Sequence, residues 1–110
     1  MTIKTCMNLV EAMKPGGVDR GVKLRFLGEI EGKVRVELLG EEPCEELNFD
    51  LETPVDRELC APHPYDQLYP LYVMAMMDYV SGDIARYENG AALFNAAYQG
   101  YGKWLKRREV

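Results

Sequence analysis

The chain has 110 residues, of which 47% are hydrophobic and 28% charged, and a formal net charge of −5 at pH 7. This length and composition fit one folded domain with a modest core rather than a disordered chain. The acidic balance argues against a nucleic-acid-binding groove, because phosphate binding requires a dense lysine and arginine surface. No apolar run reaches the ~20 residues of a membrane-spanning helix. From the charge and the lack of such a run, respectively, we expect no sequence-specific nucleic-acid partner and no membrane partner.

The three cysteines, Cys6, Cys44 and Cys60, are odd in number and widely spaced. This pattern argues against a disulfide framework. Residues 1–13 also lack the basic region and cleavage site of a secretory signal. We therefore expect a protein of a reducing cytoplasm with free thiols.

The N-terminal part, residues 1–39, is expected to begin with a helix. A first helix over 5–13 is predicted because apolar residues recur at spacings of three and four, namely Met7, Leu9, Val10 and Met13. The Lys14-Pro15-Gly16-Gly17 sequence should end it, since proline cannot continue the hydrogen-bond ladder.

Residues 18–39 fit two patterns equally well. A helical stripe consists of Leu24, Leu27, Ile30, Val34 and Leu38. A hairpin would instead pair the alternating runs 22–26 and 34–38 across residues 31–33. Gly28 and Gly32 disfavour the helix by about 1 kcal/mol each relative to alanine, so the pattern alone leaves both alternatives open.

Residues 40–63 are predicted to form a long acidic loop. The segment carries eight carboxylates, Glu41, Glu42, Glu45, Glu46, Asp50, Glu52, Asp56 and Glu58, and several prolines. Leu47, Phe49 and Leu51 alternate with polar residues, which predicts one short edge strand. Loops of this length are usually functional or mobile; a partner-binding arm and a flexible excursion are both open interpretations.

Residues 64–110 are predicted to form an antiparallel helical pair with a basic tail. The first helix should open at Pro64-Tyr65-Asp66, with Asp66 as N-cap, and reach Val80. A break at 81–83 should separate it from a last helix, whose apolar residues are Ala92, Leu93, Ala96, Ala97, Tyr101, Trp104 and Leu105. The sequence therefore predicts a mainly α fold, a small helical bundle with a long acidic loop and at most one short β element.

No motif in the sequence points to catalysis or to a cofactor. Ser81 and His63 are the only serine and histidine, and no strained turn motif surrounds the serine. Cys44, Cys60 and His63 lack the paired ligand spacing of a zinc site, and no phosphate-binding glycine motif is present. We expect no enzyme, no cofactor, no metal and no catalytic residue.

The C-terminal half is rich in aromatic residues but poor in cations. Between Pro64 and Gly102 the only cation is Arg86, whereas base stacking needs interleaved positive charge. Core packing and subunit contact explain the aromatic series better, because tyrosine can bury its ring while its hydroxyl reaches a partner. The interface candidates are Tyr65, Tyr69, Tyr87, Tyr98, Trp104, Lys106, Arg107 and Arg108.

Several segments resemble a family of small proteins encoded by tailed phages and prophages of Firmicutes. The matching segments are Ala61–Tyr69, Asp78–Tyr79, Arg86–Asn89 and Leu93–Tyr98, with weaker likeness at Glu11–Pro15 and Lys23–Gly32. The family pattern reads roughly P-Y-D-x-L-Y, D-Y, R-Y-N-N and F-N-x-x-Y. The likeness covers both ends of the chain and skips the acidic loop; Phe26 and Glu88 depart from the tryptophan and asparagine that are frequent there.

The resemblance implies a head–tail connector, also called a head-completion adaptor. Such proteins resemble small helical bundles that dock as a homo-oligomeric ring beneath the portal and extend the DNA channel. It also favours the helix at 18–39, portal and neck or tail proteins as partners, and the virion or the host cytoplasm as location. Opposite charge patches would suit a head-to-tail ring, and an acidic channel would let DNA pass without binding.

Two other functions stay open on the sequence alone. One is another virion or prophage part, such as a tail-completion or packaging accessory protein. The other is a small regulatory module of a bacterial cell that binds a protein partner.

Overall fold

The computed structural model describes residues 1–108 and confirms a mainly α-helical fold. The four α-helices are α1 (Ile3–Met13), α2 (Arg20–Lys33), α3 (Leu68–Val80) and α4 (Ile84–Arg108). A π-helical turn, Val34–Leu38, continues α2, and 3₁₀ turns occupy Glu45–Leu47 and Tyr65–Gln67. Within residues 1–108 there is no strand, and the only β feature is an isolated antiparallel bridge between Thr2 and Glu58.

Helix α1 begins two residues earlier than predicted because Thr2 caps it. The Thr2 hydroxyl accepts a hydrogen bond from the Thr5 amide at 3.1 Å, which satisfies an otherwise free donor of the first turn. The predicted apolar face is correct at Met7 and Val10, which are fully buried. It is wrong at Met13, which is 65% exposed at the end of the helix.

Residues 18–39 form a helix, so the hairpin alternative is wrong. The helical stripe faces the core, and its residues Leu24, Leu27, Ile30 and Val34 are at most 1% exposed. Gly28 is needed here because the chain crosses α2 at this point. A Cβ at Gly28 would overlap the carbonyl oxygen of Leu47 and lie 2.9 Å from the Phe49 nitrogen.

The first half of the acidic segment (residues 40–63) runs back along α2 to its N-terminal end near Leu51, and the second half returns to Glu31 through Cys60. Its Leu47–Phe49 backbone covers Gly28, and farther on the Leu51 side chain lies beside Gly21. The predicted edge strand at 47–51 is wrong: Leu47 ends a 3₁₀ turn and, with Phe49, is buried against the helices. The alternation reflects one side facing α2, not pairing with a neighbouring strand.

Helices α3 and α4 form the predicted antiparallel pair. Their contacts run in opposite order along the chain, from Tyr79 against Tyr87 at the turn to Tyr72 against Phe94 farther along. The predicted N-cap role of Asp66 is wrong, since this residue lies in the preceding 3₁₀ turn and makes no capping hydrogen bond. Its buried carboxylate instead lies 3.4 Å from the amino group of Met1.

The predicted apolar stripe of α4 is only partly correct. Leu93 is 61% exposed, and Ala92 and Ala96 are also exposed. The buried positions of α4 are Phe94 and Tyr101, because the helix turns these aromatic rings inward and turns Ala92, Leu93 and Ala96 toward solvent.

Candidate docking surfaces

A buried carboxylate joins α2, α3 and the end of the acidic segment. Glu31 on α2 is fully buried. It accepts hydrogen bonds from the Tyr69 hydroxyl at 2.6 Å, the Cys60 amide at 3.0 Å and the Cys60 thiol at 3.1 Å. The Arg35 guanidinium lies 3.4 Å away and supplies the opposite charge. A buried charge is tolerated only with such partners, so this cluster ties the loop to the helices.

The Tyr69 hydroxyl and the Cys60 thiol, which both donate to Glu31, stay protonated. Burial, and after it the negative charge of Glu31, raises the pKa of Tyr69 far above its ordinary value. Burial and the hydrogen bond to Glu31 raise the pKa of Cys60 to about 12. A thiol with this pKa is a poor nucleophile at neutral pH, so the chemistry of the cluster is that of a structural hydrogen-bond network.

Tyr69, an interface candidate from the sequence, is not accessible to a partner. Its side chain is fully buried, and its hydroxyl also accepts the Ala61 amide at 2.9 Å. With both hydrogen-bonding roles filled inside the core, Tyr69 offers nothing to a partner. The sequence could not separate it from its aromatic neighbours, because its partner Glu31 is 38 residues away.

Tyr65 and Trp104 share one aromatic cluster with the buried Tyr101. The ring centroids of Tyr65 and Trp104 are 5.1 Å apart, and those of Tyr65 and Tyr101 are 5.6 Å apart. Both candidates are half-buried, and the Arg108 guanidinium lies 4.7 Å from the Trp104 ring centroid. In this cluster the Tyr101 ring is buried, whereas the Tyr65 and Trp104 rings remain partly accessible to a partner.

Tyr87 and Tyr98 are also half-buried and lie on α4, but apart from each other. Tyr87 packs against Tyr79 near the α3–α4 turn. Tyr98 donates a 2.7 Å hydrogen bond to Glu37 of the π-helical turn. Burial and this hydrogen bond raise the pKa of Tyr98, so its hydroxyl remains a donor at neutral pH.

The basic candidates lie together at the end of α4. Lys106, Arg107 and Arg108 occupy its last turn and are exposed, where positive charge suits the helix dipole. Lys103 lies one turn earlier and is also exposed. The four exposed cations Lys103, Lys106, Arg107 and Arg108 together form the basic end of α4. The sequence alone placed them only in a tail.

A groove, which sequence analysis did not predict, separates this basic end from the π-helical turn. It encloses about 430 Å³, and its lining includes Leu38, Leu105, Lys103 and Lys106. Its two sides also approach at Gly102, where a Cβ would lie 3.6 Å from the Leu38 side chain. The groove therefore combines apolar side chains with two cations. A π-helical turn often marks a functional position.

The acidic tip is the exposed turn Asp50-Leu51-Glu52. Leu51 is 67% exposed. The Asp50 carboxylate fixes the turn by accepting the amides of Glu52 at 2.9 Å and Thr53 at 3.1 Å. The sequence signal for this feature is a leucine between two acidic residues in an acidic loop. The edge-strand prediction obscured it, because it treated Leu51 as one residue of an alternating strand.

A second apolar surface lies at the α3–α4 turn. Tyr79, Val80 and Ile84 are each more than half exposed. Nearby, Lys14 pairs with Asp78 at 2.5 Å, which joins the end of α1 to the end of α3. Tyr79 and Val80 were predicted to belong to the apolar stripe of the first C-terminal helix, so their exposure was not foreseen.

Residues 1–108 contain neither a grouping of metal ligands nor a helix that could span a membrane. In residues 1–108, no three His, Cys, Asp or Glu side chains are grouped so that they could hold a metal ion. Over the same residues, no helix is long and apolar enough to cross a membrane.

Comparison of the chain with protein-family models, with curated proteins and with solved structures gives no match.

Proposed function

We propose that this chain is a structural connector of a tailed phage, which docks to the portal region and helps to extend the DNA channel. The likeness of its C-terminal segments to the connector family motivates this proposal, and the small helical bundle is compatible with it. Its partners would be the portal and the neck or tail proteins, together with further copies of the same chain in a ring.

The observation that carries the proposal is the separation of charge on one small body. From the tip onward the acidic segment carries four carboxylates, Asp50, Glu52, Asp56 and Glu58, whereas residues 103–108 hold four cations and no carboxylate. The acidic tip lies beside the N-terminal end of α2, and the basic end lies beyond its C-terminal end. A subunit that must meet a different surface on each side needs this kind of polarity.

Deletion of the gene from the phage that carries it tests the proposal. We expect lysates with DNA-filled heads and free tails but few joined particles, seen by electron microscopy. Wild-type protein supplied from a plasmid should restore joined particles and should be detected in them by mass spectrometry. Normal virions from the deletion strain would contradict the proposal.

Charge reversal separates docking from folding. Replacing Lys106, Arg107 and Arg108 with glutamate should keep the helical circular dichroism spectrum, because these side chains are exposed, yet it should fail to restore joined particles. A matched control replaces Lys4 and Arg20, which are exposed elsewhere, and should restore them. Equal rescue by both variants would contradict a docking role for the basic end.

A further inference from the structure

We infer that the acidic tip of one copy docks in the groove of the next copy, with Leu51 entering between Leu38 and Leu105. This inference rests on the proposed function insofar as a ring needs one contact repeated between neighbours. It goes further because it names the two surfaces that meet.

The tip presents an exposed apolar side chain with a mainly negative border. Leu51 is 67% exposed, and Val22, 37% exposed, lies on the same patch. The carboxylates of Asp19, Asp50 and Glu52 border this patch together with one cation, Arg25, so its border is negative on balance. The hydrogen bonds of Asp50 fix the backbone of the turn, so docking would order little additional chain, and this favours affinity.

The groove has the complementary character. Its 430 Å³ lies within the range of roughly 300–1,000 Å³ that is typical of ligand pockets. Leu38 and Leu105 provide apolar surface, and Lys103 and Lys106 provide positive charge beside it. The one carboxylate of the lining, Glu37, already accepts the Tyr98 hydroxyl. An exposed leucine between carboxylates matches this combination of surface and charge.

A molecule cannot fill its own groove with its own tip. Leu51 lies beside Gly21, at the start of α2, whereas the groove begins with the turn that follows Lys33. The helix between them spans roughly 20 Å at 1.5 Å per residue. Because the two surfaces differ and lie at opposite ends of α2, one tip-to-groove contact leaves a free tip and a free groove, and its head-to-tail repetition generates closed rings or open filaments.

Sedimentation velocity of purified full-length variants over a concentration series tests the contact. We expect wild-type protein to associate as concentration rises. Leu51→Asp, and separately the double variant Lys103→Glu with Lys106→Glu, should each weaken association about tenfold to a hundredfold, the effect of losing one buried leucine or its charged surroundings. Leu93→Asp is the matched control: Leu93 is 61% exposed outside the groove, so this variant should associate like wild type.

Mixing the two defective variants is the decisive step. The Leu51→Asp chain keeps an intact groove, and the double lysine variant keeps an intact tip. An equimolar mixture should therefore form a dimer joined by one intact contact and nothing larger. Circular dichroism and thermal unfolding of each variant confirm that the folds are unchanged.

Three results would overturn the inference. They are a wild type that stays monomeric at the highest attainable concentration, a Leu51→Asp variant that associates like wild type, and a mixture that forms no dimer. None of these contradicts the proposed function, because docking to the portal does not require this contact. That function is tested separately by the particles formed in the deletion strain.

Discussion

Gly28 gives the most direct test of how the acidic segment is held. The segment crosses α2 at this residue, and a Cβ there would overlap the Leu47 carbonyl oxygen and lie 2.9 Å from the Phe49 nitrogen. These are backbone atoms, so no side-chain rotation can relieve the contact. Gly28→Ala must therefore push residues 47–49 away from the helix.

The expected loss follows from what residues 47–49 bury. Leu47 is 7% exposed and Phe49 is fully buried, and burial of each contributes ~1.5–3 kcal/mol. Complete detachment would cost ~3–6 kcal/mol. The higher helix propensity of alanine relative to glycine offsets about 1 kcal/mol of this loss. We expect Gly28→Ala to lower the free energy of unfolding by ~2–5 kcal/mol, which is a large part of the stability of a small domain.

Gly32→Ala is the matched control in the same helix. No atom lies within 4 Å of a Cβ at this position, so only the propensity gain of up to ~1 kcal/mol remains. Urea unfolding, followed by circular dichroism and by Trp104 fluorescence, measures both variants, and limited proteolysis reports release of residues 40–63. A Gly28→Ala protein as stable as wild type would refute the crossing described here.

Two further predictions concern the core. Tyr69→Phe removes a donor to a buried carboxylate and should lower the free energy of unfolding by ~1.5–3 kcal/mol. The control is Tyr72→Phe: the Tyr72 hydroxyl donates to an exposed carboxylate at 3.1 Å, so its loss should change the free energy of unfolding by less than ~0.5 kcal/mol. Equal losses for the two variants in urea unfolding would contradict the buried network. Burial raises the pKa of Cys6 to about 12, so iodoacetamide at pH 8 should modify Cys6 only after unfolding but should modify the exposed Cys44 rapidly. Peptide mass spectrometry measures the labelling of each cysteine. Rapid labelling of Cys6 in the folded protein would contradict its burial.

The helical elements were largely predictable because local patterns determine them. Helix α1 and the α3–α4 pair follow from apolar spacing, and the breaks follow from Pro15 and Gly82. Residues 18–39 could not be assigned, since their side chains satisfy both periods. The decision between the two lies in tertiary structure: the buried stripe, Glu31 and the crossing at Gly28 all require a helix.

The docking surfaces were less predictable than the helices. Charge segregation is visible in the sequence, so the basic end was found at Lys106, Arg107 and Arg108. The groove was not found, because its two sides, Leu38 and Gly102, are 64 positions apart in the chain. Periodicity describes one element at a time, and it cannot reveal a surface made by two elements.

The buried Glu31 cluster and the crossing at Gly28 together determine the geometry of any head-to-tail assembly. Glu31 holds residue 60, at the end of the acidic segment, by the Cys60 amide, and Gly28 receives the segment near its middle. Leu51 is thereby fixed relative to α2, and the groove is fixed to the same helix through the π-helical turn. A contact between tip and groove would then repeat with one angle from copy to copy. Whether copies close into a ring depends on that angle, so these core residues would set the curvature of the assembly without touching a neighbour.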